Sequence, residues 1–169
     1  MKNLGCVFTM AALVLVAGCG KNEEVPLGRA AEGVAAESGN VLGALDSLGK
    51  DLASDTFNSQ SGALADGRLS NSGKDGYLLF GPYVAFKAGT YTVTFVGEVG
   101  ELPVGAKVRL DVDSNKGRRV YGGVDATAVG ALPQLEFTLS NDVSDLEVRV
   151  LTQGGATVSL SSYSVAKKS

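Results

Sequence analysis

The densest mixture of charged and aromatic side chains in this sequence lies between residues 109 and 121. Arg109, Asp111 and Asp113 alternate with apolar Val108, Leu110 and Val112, and Arg118, Arg119 and Tyr121 follow after the turn-forming Asn115-Lys116-Gly117. On two strands joined by that turn, the acids, the arginines and the ring would share one wet face. Asp111, Asp113, Arg118, Arg119 and Tyr121 are therefore the candidate ligand-binding set, because polar ligands are held by such mixtures of ion pairs and an aromatic ring. The plainer reading carries more weight: cross-strand Asp–Arg pairs are an ordinary way to clothe a solvent face and guard an edge, and exposed pairs contribute little.

Other chemistry is scarce. The sequence contains no His, and its two Cys are Cys6 and Cys19, so His-dependent acid–base catalysis has no residue to carry it. No Gly-x-Ser-x-Gly elbow, phosphate loop or dinucleotide fingerprint occurs. Two-carboxylate hydrolysis needs only Asp or Glu at set distances, and nothing marks such a pair. Asp111-x-Asp113-x-Asn115 has the opening of a calcium loop, but position 6 is Lys116 instead of Gly and position 12 is Gly122 where a bidentate Glu belongs. The better reading is a strand end running into a polar hairpin. The expectation is a protein that is not an enzyme, with no cofactor and no metal.

The N-terminus reads as a targeting segment. Lys2 precedes an uncharged apolar run from Leu4 to Val16 that ends in small residues. Spanning a bilayer takes roughly 20 apolar residues, and Lys21, Glu23 and Glu24 follow almost at once; no transmembrane helix is expected. Val16-Ala17-Gly18-Cys19 resembles the lipobox of bacterial lipoproteins. That resemblance implies a signal peptide over 1–18, cleavage before Cys19, a diacylglycerol on the Cys19 sulfur, and three acyl chains in all that anchor the protein durably. Each buried CH₂ contributes about 0.8 kcal/mol, and several chains hold where one does not. Gly20 is not the Asp that resembles an inner-membrane retention signal, so the expected location is the cell envelope, outer membrane by default. With Cys6 removed and Cys19 acylated, no disulfide can form. Removing residues 1–18 takes one Lys from the 15 Lys+Arg and nothing from the 18 Asp+Glu, moving the balance from −3 to −4. That excludes a nucleic-acid partner and a polybasic grip on lipid head groups.

Positioning these groups requires a fold. Residues 19–60 are rich in Ala, Gly, Ser and acids with a single aromatic, Phe57, and read as a lipid-anchored tether; residues 61–169 are dense in β-branched and aromatic residues and read as the domain. Within the tether, Val41, Leu45, Leu48 and Leu52 lie on one narrow helical stripe, which makes 40–53 either a docking or oligomerising helix or, as the two interior glycines favour, a partly helical spacer. In the domain, period-2 alternation recurs through Tyr91-Val93-Phe95, Val108-Leu110-Val112, Leu135-Phe137-Leu139 and Leu146-Val148-Val150. The last strand changes phase, with Val158 and Leu160 at even positions and Tyr163 and Val165 at odd ones, which predicts a β-bulge near Ser161-Ser162. Short strands separated by turn signals, with no helical pattern between them, indicate an all-β antiparallel β-sandwich.

Gly76–Phe95 (GYLLFGPYVAFKAGTYTVTF), followed by Leu110-Asp111-Val112 and the hydrophilic hairpin Asn115 to Val120, resembles the entry hairpin of galactose-binding-like jelly-roll domains that accompany some bacterial glycosyltransferases and methyltransferases. The likeness covers roughly residues 61 to 166. It implies a jelly-roll sandwich and, because that group includes carbohydrate-binding modules, a glycan or envelope polysaccharide as partner. The chain has no Trp, so stacking on a sugar would fall to Tyr. Two functions follow: a membrane-anchored binding module for carbohydrate centred on the Asp111–Tyr121 hairpin, or a structural component that packs against other envelope proteins.

Overall fold

The computed structural model describes residues 43–169, so the leader, Cys19 and Val41 lie outside the described residues. Its strands are β1 (Ser47–Asp51), β2 (Gly62–Ala65), β3 (Arg68–Asn71), β4 (Gly76–Leu79), β5 (Pro82–Phe86), β6 (Gly89–Glu101), β7 (Lys107–Ser114), β8 (Arg119–Ala126), β9 (Gly130–Ala131), β10 (Leu135–Leu139), β11 (Val143–Gln153) and β12 (Thr157–Lys167). One sheet runs β10-β6-β12-β3-β2, with β1 also on β12 and β9 also on β6. The other runs β4-β11-β7-β8, with β5 also on β11. Every ladder is antiparallel. This is the antiparallel β-sandwich that the alternation predicts.

The alternation explains the core. Val108, Leu110 and Val112 of β7 and Leu146, Val148 and Val150 of β11 turn inward from the five-stranded sheet. They share one buried cluster with Tyr91 and Val93 of β6, Phe137 of β10 and Leu160 and Val165 of β12. Each fully buried Val or Leu stabilises by about 1.5–3 kcal/mol over its exposed state. Tyr91 is fully buried against Phe137, ring centroids 5.3 Å apart, and its hydroxyl donates to the Lys87 carbonyl at 2.8 Å, so the polar end of the ring is satisfied. The phase change in β12 is a bulge: Leu160 pairs with Gly97 and Ser162 with Val96, leaving Ser161 extra. Val158, Leu160, Tyr163 and Val165 can then all face inward.

The stretch 40–53 is not a helix where it is described. Leu45 bridges Phe86, Ser47–Asp51 forms β1 along β12, and Leu52 is buried after the Asp51 carboxylate turns the chain by accepting from the Ala53 N–H. Spacings of three and four arise here from a strand followed by a turn. Gly43, at φ +81°, and Gly49 weaken a helix, whereas β12 offers a whole edge of backbone partners. The sandwich therefore begins near Leu45 and not at 61, and Gln60 already bonds to the Tyr77 carbonyl.

β4 and β5 divide one edge of β11 between them. β4 pairs with Val150–Thr152 and β5 with Val143–Glu147. Between them, Gly81 turns the chain at φ +106°, and its carbonyl accepts from Val148 at 2.8 Å.

Candidate functional site

Residues at odd positions of β7 and β11 point away from the core, onto the outer face of the five-stranded sheet. In register, Asp111 faces Arg149 and Asp113 faces Glu147. Arg149 donates through Nε and Nη2 to both oxygens of Asp111, at 2.7 and 3.0 Å, and its Nε also lies 2.6 Å from Asp113 Oδ2. This is a forked, charge-assisted pair of the strong kind. It is also nearly dry: the side chains of Arg149, Asp111 and Asp113 are 13, 10 and 0% exposed. Burial opposes the guanidinium charge, but the Asp111 carboxylate more than offsets that and holds Arg149 protonated.

Asp113 is in a different condition. Both its oxygens are buried and neither makes an aligned hydrogen bond, the short approach of Arg149 notwithstanding. Burial, opposed by Arg149 and reinforced by the Glu147 carboxylate beside it, pushes the Asp113 carboxyl up to about 7. Two acids side by side in low dielectric cannot both ionise freely. Glu147 is held from above: the Tyr83 hydroxyl donates to its Oε1 at 3.0 Å. Burial first, and then the Glu147 carboxylate, raise the Tyr83 phenol above its ordinary value. Tyr83 reaches this position from a left-handed backbone, φ +63°, a conformation that costs a bulky residue of order 1–3 kcal/mol and tends to persist where function needs it.

Over this floor lies a cleft of about 250 Å³ walled by Gln60, Tyr77, Phe80, Tyr83, Lys116, Glu147 and Arg149. Tyr77 and Phe80 are tilted against each other with centroids 6.2 Å apart, and the Arg149 guanidinium lies 5.1 Å over the Tyr77 ring. Tyr83, 46% exposed, offers the most open ring. A second concavity of about 150 Å³ shares Phe80 and has Leu52, Leu79 and Tyr163 in its wall. The first is the better candidate because rings, an acid and two cations converge there on a buried ionised network.

Of the five residues singled out in the sequence, the structure sets Arg119 against Tyr121 and, apart from them, brings together Asp111 and Asp113. The two acids are buried, and their cation is Arg149 of β11, not Arg118 or Arg119. The β7–β8 ladder is bulged, Val112 opposite Gly122 and Asp113 opposite Val120, so Tyr121 is the extra residue. It packs against the core and its hydroxyl meets Ser114 Oγ at 2.9 Å. Arg119 lies 5.3 Å over the Tyr121 ring, and Arg118 is exposed in the turn. Opposite Asp111 stands Gly123, whose missing Cβ leaves room for the Arg109 guanidinium. Arg149, Glu147, Tyr83, Tyr77, Lys116 and Gln60 escaped the sequence reading. Their one signal was Tyr83 directly after Gly81-Pro82; the Asp111–Arg149 pairing spans 38 residues and leaves no trace in local spacing.

No family model matches the chain, and no curated protein sequence matches it. Among solved structures, it is similar to the Glycosylation Associate Protein (Gap123) complex from Streptococcus agalactiae, with TM-score 0.51 and 12% identity, over 73% of this chain and 26% of that one. The chain thus spans about a quarter of the length of the streptococcal chain. It also aligns with the C-terminal CBM6 of LamC, a marine laminarinase from Zobellia galactanivorans, with TM-score 0.40 and 13% identity, over 72% of this chain and 99% of that one. At such identities, what is shared with the streptococcal complex is the fold.

Proposed function

We propose that this protein is a lipid-anchored binding module of the cell envelope, whose sandwich presents a glycan-sized cleft on the outer face of its five-stranded sheet. The observation that carries the reading is the convergence of Tyr77, Phe80 and Tyr83 with Gln60, Lys116, Glu147 and Arg149 around one opening. Aromatic faces take the C–H side of a sugar ring, and the polar groups take its hydroxyls. The module binds without catalysing, because the paired acids Asp113 and Glu147 are buried, Asp113 completely, and Tyr83 is bonded across Glu147. Neither acid is free to meet a scissile bond.

Anchoring rests on Val16-Ala17-Gly18-Cys19, with Gly20 favouring the outer membrane. Among the described residues no helix is long and apolar enough to cross a membrane. Cys19→Ala should abolish incorporation of a labelled fatty acid and release the protein from the membrane fraction; label persisting in the variant would overturn the anchor.

The cleft is tested by titrating fragments of the host's own envelope polysaccharides. With Tyr in place of Trp, dissociation constants should fall between micromolar and millimolar, roughly −8 to −4 kcal/mol, and Tyr83→Ala should weaken binding about tenfold. If no polysaccharide binds, the sandwich serves as an assembly component contacting other envelope proteins.

A further inference from the structure

The polar groups around the cleft are unevenly committed. Glu147 Oε1 already accepts from Tyr83, and Gln60 Oε1 accepts from the Tyr77 N–H at 3.3 Å. Both oxygens of Asp111 are taken by Arg149. The donors are less occupied: Arg149 uses Nε and Nη2, while its Nη1 makes no hydrogen bond among the described residues. Lys116 has neither an ion pair nor a hydrogen bond among them.

The hairpin brings these two donors together. Asn115, Lys116 and Gly117 are successive left-handed residues, φ +52°, +57° and +77°, which folds the turn tightly. Gly117 packs on the guanidinium so closely that a Cβ there would lie 2.6 Å from Arg149 Nη1. The neighbouring Lys116 and Arg149 then wall the same cleft. The guanidinium charge is answered by Asp111, whereas the Lys116 charge is answered by nothing among the described residues.

Resting on the glycan-cleft reading above, we infer that the cleft is built for an acidic sugar, whose carboxylate is received between Lys116 Nζ and Arg149 Nη1 while its ring lies against Tyr83. Lys116 is the cation of the cleft wall that has no acidic partner among the described residues, and a monoanion supplies one. A dianionic phosphate would bring a second negative charge over Asp111, Asp113 and Glu147 with no further cation to meet it.

The test compares oligogalacturonate with the same oligomer fully methyl-esterified, titrated into the full-length protein in detergent. The acidic oligomer should bind about three- to tenfold tighter, the range expected of one partly exposed ion pair with a charge-assisted hydrogen bond, and rising salt should shrink that preference. Lys116→Gln should erase the preference and Lys116→Arg restore it; Lys116 is exposed, so an unchanged melting temperature checks that each variant is folded. Equal binding of both oligomers, or a preference that survives Lys116→Gln, overturns the inference and leaves the glycan cleft standing. Inorganic phosphate competing as well as free galacturonate at equal concentration overturns the carboxylate assignment. Binding of neither oligomer nor any host polysaccharide overturns the cleft reading itself.

Discussion

The two sheets turn polar residues outward with the same alternation, yet their outer faces differ in kind. On the seven-stranded sheet the polar groups stay in water. Thr90 and Thr138 share a hydrogen bond of 3.1 Å, Lys168 reaches Glu136 at 2.8 Å, and Arg68 reaches Glu98 at 3.3 Å with side chains 45 and 62% exposed. On the five-stranded sheet, Asp111, Asp113, Glu147 and Arg149 form one nearly dry network capped by Tyr83. Alternation decides which face a side chain takes; what lies over that face decides what the side chain costs. An exposed ion pair contributes about 0–1 kcal/mol, whereas leaving one partner of a buried pair unanswered is strongly destabilising.

The largest effect should come from removing the shared cation. Arg149→Ala leaves two buried carboxyls without it and should cost about 3–5 kcal/mol in a denaturant titration. Arg68→Ala, on the opposite face, should stay within about 0.5 kcal/mol. Equal costs would erase the distinction between the faces.

Next in size is a pH effect confined to the dry face. Asp113 titrates at about 7 in the folded protein against an ordinary 3.8. Between those values the native state holds a proton that the unfolded state has lost, so through this group stability falls as pH rises from about 4 to about 7 and levels off above. The melting temperature should therefore rise when pH is lowered from 8 to 5, and Asp113→Asn should flatten that slope. Asp46, whose pKa is lowered by hydrogen bonds from Lys87 and Lys167, acts in the opposite sense, below this window. A melting temperature that climbs from pH 5 to 8 in the wild type and is unaffected by Asp113→Asn would contradict the assignment.

A smaller change sharpens the role of the cap. Tyr83→Phe keeps the ring and removes its hydrogen bond to Glu147, which should cost about 1 kcal/mol and barely alter sugar stacking. Thr138→Val on the seven-stranded sheet, which also deletes one hydroxyl contact, should be close to neutral by the same thermal measurement.

These contrasts mark how far the sequence could be read. The inward strand faces were legible because Tyr91-Val93-Phe95 and Leu146-Val148-Val150 are local patterns, and the phase change between Leu160 and Tyr163 located the bulge. The helical stripe at 40–53 misled because Leu45, Leu48 and Leu52 also fit a bridge, a strand and a turn. Asp111 and Asp113 were recognised as outward-facing, but their burial was not, since it depends on Arg149 and on the hairpin packing beside it. Tyr121 was misplaced by one bulged residue, because a register shift of one reverses the face a side chain takes.

On the proposed function, ligand enters the cleft of the five-stranded sheet. Backbone amide shift mapping of the Cys19→Ser protein during titration with host envelope oligosaccharides tests it most directly. Perturbations should saturate together at Gln60, Tyr77, Tyr83, Lys116 and Arg149, with the Thr90–Thr94 stretch of the seven-stranded sheet silent. Shifts confined to Arg118, Arg119 and Tyr121, or to the seven-stranded sheet, would contradict it.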